Sequence, residues 1–216
     1  MDWFERLTGF RETDPETTRR HLALEGGRLV SRVNGASWAA GRFETPTLEA
    51  LRGRAFSRAA PTRLRLVRGD VGAMHADPDN QGALFQVASQ FNALEMVHPG
   101  VTPEQGVTGY AHDHTQGPAC AIAAGAATIY RNSFVPLAGG VGQTATRQVD
   151  ASAGLRARLA AALGVAPEAV WEMRNGYVMV EGQALARIAG HVAGASEAGR
   201  DALRASLAIG LHHDVE

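Results

Sequence analysis

The stretch LVRGDVGAMHADPDNQGALFQVASQFNALEMVHPGVTPEQGVTGYAHDHTQGPACAIAAGAATIYRNSF, residues 66–134, decides how this chain is read. Within it Asp70, Asn92, Glu95, Glu104, Asp113, Gln116, the single cysteine Cys120 and four of the eight histidines stand among alanine and glycine rather than among solvated charge. Burying a polar group costs free energy unless it is paired. The mixture therefore predicts side chains that line a pocket, with a polar network inside a core as the plainer alternative.

Working outward, Asp14-Pro15-Glu16 carries an N-cap, a proline at the first helical position and an early acid, which predicts a helix from Pro15 to Leu24 stopped by Gly26-Gly27. RLVSRVNGASWAAGRFETP (28–46) reads as a β-hairpin turning at Asn34-Gly35. Thr47 caps a helix LEALRGRAF, TRLRLVRGD (62–70) alternates as a strand, and ALFQVAS (83–89) reads as a buried strand. Thr102-Pro103-Glu104 opens a further helix, and the small-residue run 119–132 predicts one continuous helix followed by a strand at 133–137. GGVGQ (139–143) lacks the strand, helix and Gly-Lys-Ser/Thr setting of a phosphate-cradling loop. A helix at 151–163, an Asn175-Gly176 hairpin and helices at 182–193 and 196–209 complete the pattern.

This alternation from residue 62 onward predicts a three-layer α/β core, residues 61–216, with a helix and β-hairpin extension, residues 1–60, packed on it. At 216 residues and 45% apolar, the chain suffices for a full core in one domain. A net charge of −1 offers no basic field, so neither general nucleic-acid binding nor an anionic membrane partner is expected. One cysteine excludes an internal disulfide, and the N-terminal sequence carries no apolar leader, so a cytoplasmic location is expected.

LVRGDV, ALFQVASQFN and GVTGY resemble the opening of macrodomains, the ADP-ribose-binding modules that include poly(ADP-ribose) glycohydrolases. The likeness covers about a third of the chain and implies a mixed sheet flanked by helices, with ADP-ribose or an ADP-ribosylated macromolecule as ligand and no cofactor. It further implies that Asp70 accepts from the adenine amine, that Val71 lies by the ring, that Asn92 faces the distal ribose, and that Gly106 and Val107 run along the pyrophosphate. The family's consecutive glycines are absent between Asn92 and Gly106, and no Gln-Glu-Glu signature occurs.

Cleaving an ADP-ribosyl linkage passes through an oxocarbenium-like state that a carboxyl group can serve as acid or base. Glu95, inside the apolar FNALEMV, and Asp113, between His112 and His114, are the candidates for that catalytic role, while Glu104 reads as a helix-start residue. His112, Asp113 and His114 lack the spacing of a metal site, even with His75, His98 or His212-His213-Asp214 added, so no metal is expected. A rival reading makes Cys120 the nucleophile of a hydrolase or transferase, with Gln116 serving an oxyanion; Gln116 otherwise counts among the ligand-binding residues. Cys120 can equally be a small buried hydrophobe, and a non-catalytic interaction protein is the remaining alternative.

Overall fold

The computed structural model describes residues 1–54, 64–83 and 90–213. Capped helices open the chain. Asp2 accepts from the Glu5 N–H to start α1 (Trp3–Thr8), which Gly9 closes at φ 84°. Asp14 accepts from the Thr17 N–H to start α2 (Pro15–His21), as its Asp-Pro pair predicts. This helix ends before the expected Leu24, because Leu22–Glu25 become β1. Gly26-Gly27 are then the β1–β2 turn rather than a helix stop: both take positive φ, 56° and 79°, as a tight hairpin turn requires.

The hairpin expected at 28–46 forms between β2 (Arg28–Ser31) and β3 (Ser37–Ala39), with Leu29 opposite Trp38. Its loop is longer than a two-residue turn. Gly35 takes φ 71°, and the Asn34 side chain accepts from the Ala36 N–H. β4 (Arg42–Glu44) leaves this sheet and pairs with β9 (Leu211–His213) near the far end of the chain, Phe43 opposite His212. Thr47 caps α3 (Leu48–Arg52), which is shorter than LEALRGRAF; residues 55 and 56 of that expectation lie outside the described residues.

Residues 62–70 were expected as a strand. Residues 64–69 instead run exposed and, among the described residues, unpaired, with Leu64 and Leu66 at 93% and 100% exposure. Residues 62–63, and 84–89 of the strand expected at 83–89, lie outside the described residues. Asp70 caps α4 (Val71–Ala76).

The run 119–132 forms two helices, α5 (Gly117–Ala123) and α6 (Gly125–Ser133), because Ala124 leaves helical geometry at φ −140°, ψ 38°. Gly125 sits where a Cβ would lie 3.0 Å from the Trp3 ring, so α1 packs directly on the break. The strand expected at 133–137 shrinks to β5 (Pro136–Leu137), paired with β6 (Gly140–Val141) within the glycine-rich segment. α7 (Ala153–Leu163) follows, then β7 (Glu172–Arg174) and β8 (Tyr177–Met179), joined by Asn175 and Gly176 at φ 47° and 81° in the turn the dipeptide predicts. α8 (Gly182–Gly194) and α9 (Glu197–Ala205) lead into β9.

The chain is therefore a mixed helix and strand protein. Every strand pairing among the described residues is antiparallel, in one three-stranded and three two-stranded sheets. The single mixed sheet that a three-layer core needs is not assembled from these pairings. One apolar cluster joins Trp3, Phe4, Leu22 and Leu29 to Val107, Tyr110 and Ile129, so the N-terminal elements share a core with the central third. A second gathers Leu159, Val170 and Trp171 under α7 and α8. Burying a side chain the size of Phe4 or Leu29 contributes about 1.5–3 kcal/mol each.

Candidate functional site

The site is built where the segment 110–117 doubles back on itself. A Cβ at Gly117 would lie 2.1 Å from Asp113 Oδ2 and 2.5 Å from the Tyr110 carbonyl oxygen, so only glycine lets α5 start against this loop. The loop then folds locally. Asp113 Oδ1 accepts from the backbone N–H and the hydroxyl of Thr115, each at 2.8 Å.

Thr115 Oγ1 also lies 3.0 Å from Glu95 Oε2 and accepts from the Gly117 N–H at 3.2 Å. A hydroxyl has one proton to donate and two lone pairs. Lying between two carboxyl groups, it can satisfy both only if one of them carries a proton. Of the two, Glu95 is 4% exposed, and burial raises its carboxyl above the usual glutamate range against the opposing pull of Thr115 and Arg131. The Thr115 hydroxyl thus bridges Glu95 Oε2 and the half-buried Asp113 carboxyl group. A buried acid is thus wired through one hydroxyl to a group that reaches solvent.

Around this chain stand buried polar side-chain atoms with no side-chain partner among the described residues. Asp113 Oδ2, Gln116 Oε1 and Arg131 Nε are each buried and, among the described residues, without a hydrogen-bond partner, and the buried Tyr110 hydroxyl lies beside the Glu95 backbone. Arg131 donates through its Nη2 to Thr128 Oγ1, and Thr128 in turn donates to the Cys120 carbonyl across the α5–α6 break. Burial lifts the Tyr110 hydroxyl far above its normal range. His212 Nδ1 has no hydrogen-bond partner among the described residues; its Nε2 meets the Ala40 carbonyl and its ring packs edge-on against Phe43 and Tyr130. Burial first, then the Arg131 charge, push its pKa down to about 4.

Cys120 lies on α5 with its thiol 3.8 Å from Glu95 Oε1. Burial raises its pKa, Arg131 opposing and Glu95 reinforcing the shift. Such a thiol stays protonated and donates to Glu95, whereas a nucleophilic cysteine needs an electropositive setting that favours thiolate.

The other expected site residues make hydrogen bonds of their own outside this chain. Asp70 is exposed, and one carboxylate oxygen accepts from the Ala73 N–H at 2.7 Å; its helix α4 packs against α5. Val71 follows at the first position of that helix. Asn92 is fully buried: its Oδ1 accepts from the Leu94 N–H, and its amide donates to Gln148 Oε1. Between Asn92 and Glu95, Ala93 takes φ 60°, a left-handed conformation that a non-glycine residue adopts at a cost of about 1–3 kcal/mol. Gly106 and Val107 adjoin a carboxyl group from within the chain, that of Glu12, which burial raises above the usual glutamate range against the pull of its Thr108 and Val107 bonds. Glu12 Oε2 accepts from the Val107 N–H at 2.8 Å, the Thr108 N–H at 2.8 Å and the Thr108 hydroxyl at 2.7 Å. Glu104 uses its carboxylate on the Ala145 N–H.

Two surface hollows, of about 250 and 400 Å³, lie along residues 145–150. No group of three His, Cys, Asp or Glu side chains among the described residues is placed to hold a metal ion. His112 and His114 are exposed, and Asp214 lies outside the described residues.

Thr115, Tyr110 and Glu12 carry this geometry without having stood out in the sequence. Thr115 alone had a usable signal, a hydroxyl inside His-Asp-His-Thr-Gln between two candidate acids. Compared with known proteins, the chain matches no family model, no curated protein and no solved structure. No helix among the described residues is long and apolar enough to cross a membrane.

Proposed function

We propose that this protein is an acid–base hydrolase that binds ADP-ribose or an ADP-ribosylated macromolecule and cleaves the glycosidic linkage to the ribose. One observation carries the acid–base part: a single hydroxyl, that of Thr115, bridges the buried Glu95 carboxyl and the half-buried Asp113 carboxylate. The ADP-ribosyl class comes from the sequence resemblance, and with it the proposal includes a macrodomain-like three-layer arrangement of the core and a cytoplasmic location, where a lone thiol stays reduced.

In this reading the bond between the anomeric carbon and its oxygen or nitrogen substituent breaks as Glu95 gives its proton to the departing atom. Water adds to the anomeric carbon, and the proton it sheds returns to Glu95, with Thr115 and Asp113 equilibrating that proton with solvent. Arg131 and the Tyr110 hydroxyl supply donors near the reacting region. The neutral, buried state of Cys120 favours Glu95 over the thiol as the reacting group.

The test is release of ADP-ribose from an ADP-ribosylated protein by the purified full chain, read by chromatography. Release that tracks enzyme concentration supports the proposal, and no release across pH 5–8 removes it.

A further inference from the structure

Residues 92–96 are buried one after another without belonging to a helix or strand. Buried backbone groups need hydrogen-bond partners, and a segment outside regular structure takes them from side chains or from other parts of the chain. Here the β7–β8 hairpin provides several. The Tyr177 hydroxyl donates to the Met96 carbonyl at 2.5 Å and accepts from Gln90 Nε2 at 3.2 Å, and Gln90 Nε2 donates to the same carbonyl. Asn175 donates through its amide to the Pro99 carbonyl and accepts at Oδ1 from Gln148, whose own Oε1 accepts from the Asn92 amide at 3.2 Å. The tip of the hairpin seats closely against this segment: a Cβ at Gly176 would lie 2.7 Å from Asn92 Cγ and from Gln90 Oε1.

These ties fall on both sides of Glu95, at Asn92 before it and at Met96 and Pro99 after it. The Glu95 carboxyl itself meets Thr115 and Cys120. Between Asn92 and Glu95, Ala93 holds φ 60°, a conformation that persists only where its surroundings enforce it. The hairpin thus fixes the backbone that carries the carboxyl and leaves the carboxyl to the Thr115 bridge. We propose that Tyr177 and Asn175 are positioning residues for Glu95, holding the turn at residues 90–99 so that its carboxyl stays on the Thr115 hydroxyl. Their effect on rate rests on the hydrolase reading; their effect on the Glu95 carboxyl does not.

The test compares the full chain with Tyr177→Phe, Asn175→Gly and Val178→Ala. Tyr177→Phe keeps the ring and removes the hydroxyl. Asn175→Gly removes both amide bonds, and glycine takes the φ of 47° without strain. Val178→Ala, on the same hairpin, trims a side chain packed against Leu159, Val170 and Trp171 instead.

Carbon-13 NMR titration of the Glu95 carboxyl needs no substrate. Held in its buried position the carboxyl titrates above the ordinary glutamate range; Tyr177→Phe and Asn175→Gly move it towards that range, and Val178→Ala leaves it in place. In release of ADP-ribose from an ADP-ribosylated protein, the two positioning variants lower kcat about tenfold to a hundredfold with KM within about twofold, and Val178→Ala stays within about twofold of the parent in both. An unmoved Glu95 titration in either positioning variant, an equal movement in Val178→Ala, or an unmoved kcat beside an active parent overturns the proposal. A parent that releases no ADP-ribose removes the hydrolase and leaves the titration to decide the positioning. Should one positioning variant fail to fold, the other carries both measurements.

Discussion

Glu95→Gln separates a catalytic acid from a structural one, because the two roles predict opposite costs. Glutamine has the same shape, and its amide offers both a donor and an acceptor to Thr115 Oγ1, so the 3.0 Å contact and the link to Asp113 survive. What disappears is the ionisable proton. Positioned acid–base groups contribute about 10²–10⁴ in rate, equivalent to about 3–5 kcal/mol of barrier, and the variant should lose that much ADP-ribose release.

Stability should move the other way. With its folded-state pKa raised above the ordinary 4.5, Glu95 binds more protons in the native than in the unfolded chain just above that pH, so its contribution to stability falls as pH rises through this window. The variant escapes this loss. Denaturant unfolding of both proteins at pH 4 and pH 8 should show Glu95→Gln gaining on the parent at the higher pH while turnover has collapsed. A variant retaining its rate to within threefold, or a stability difference independent of pH, would refute the reasoning.

Other outcomes follow from the same contacts. Cys120→Ala should cost about 1–2 kcal/mol in thermal unfolding for the lost buried sulfur yet change hydrolysis only a few-fold, and a loss beyond a hundredfold would restore the thiol as nucleophile. Glu12→Ala strands the Val107 and Thr108 N–H groups and the Thr108 hydroxyl, and should destabilise by about 2–4 kcal/mol in urea melts. His212 is held neutral, with a folded pKa of about 4 against an ordinary 6.5, so the unfolded chain binds its proton first and stability is lost as pH falls between those values. His212→Gln should flatten that part of the stability profile measured by calorimetric scans.

Turns and caps were legible in the sequence because their causes are local. Asp14-Pro15 and Asn175-Gly176 specify their conformations within four residues, and both formed as read. Strands were less legible, since an alternating run is a strand only if something pairs with it, and Leu64 and Leu66 at the surface find no such partner among the described residues. The break at Ala124 escaped because the side chain that packs beside it, Trp3 against Gly125, lies over a hundred positions away in the sequence. Of the expected site residues, the geometry joins Glu95, Asp113 and Cys120 directly, with Gln116 at the start of the same helix. Asp70, Asn92 and Gly106-Val107 were assigned through the resemblance, and each is engaged with its own neighbours: an N-cap, an amide chain, and Glu12. Sequence alone could not reveal that an internal carboxyl group already sits on those backbone N–H groups.

The bond from the Trp3 indole to the Thr108 carbonyl spans 105 positions, that from Glu12 to Thr108 spans 96, and that from His212 to Ala40 spans 172. Each such tie must close a long loop before it returns any energy, and chains dominated by these distant pairings collapse to their native form in about milliseconds to seconds rather than microseconds. Slow maturation leaves the apolar central third uncovered for longer in the newly made chain, so the yield of native protein should fall as synthesis is driven faster or hotter.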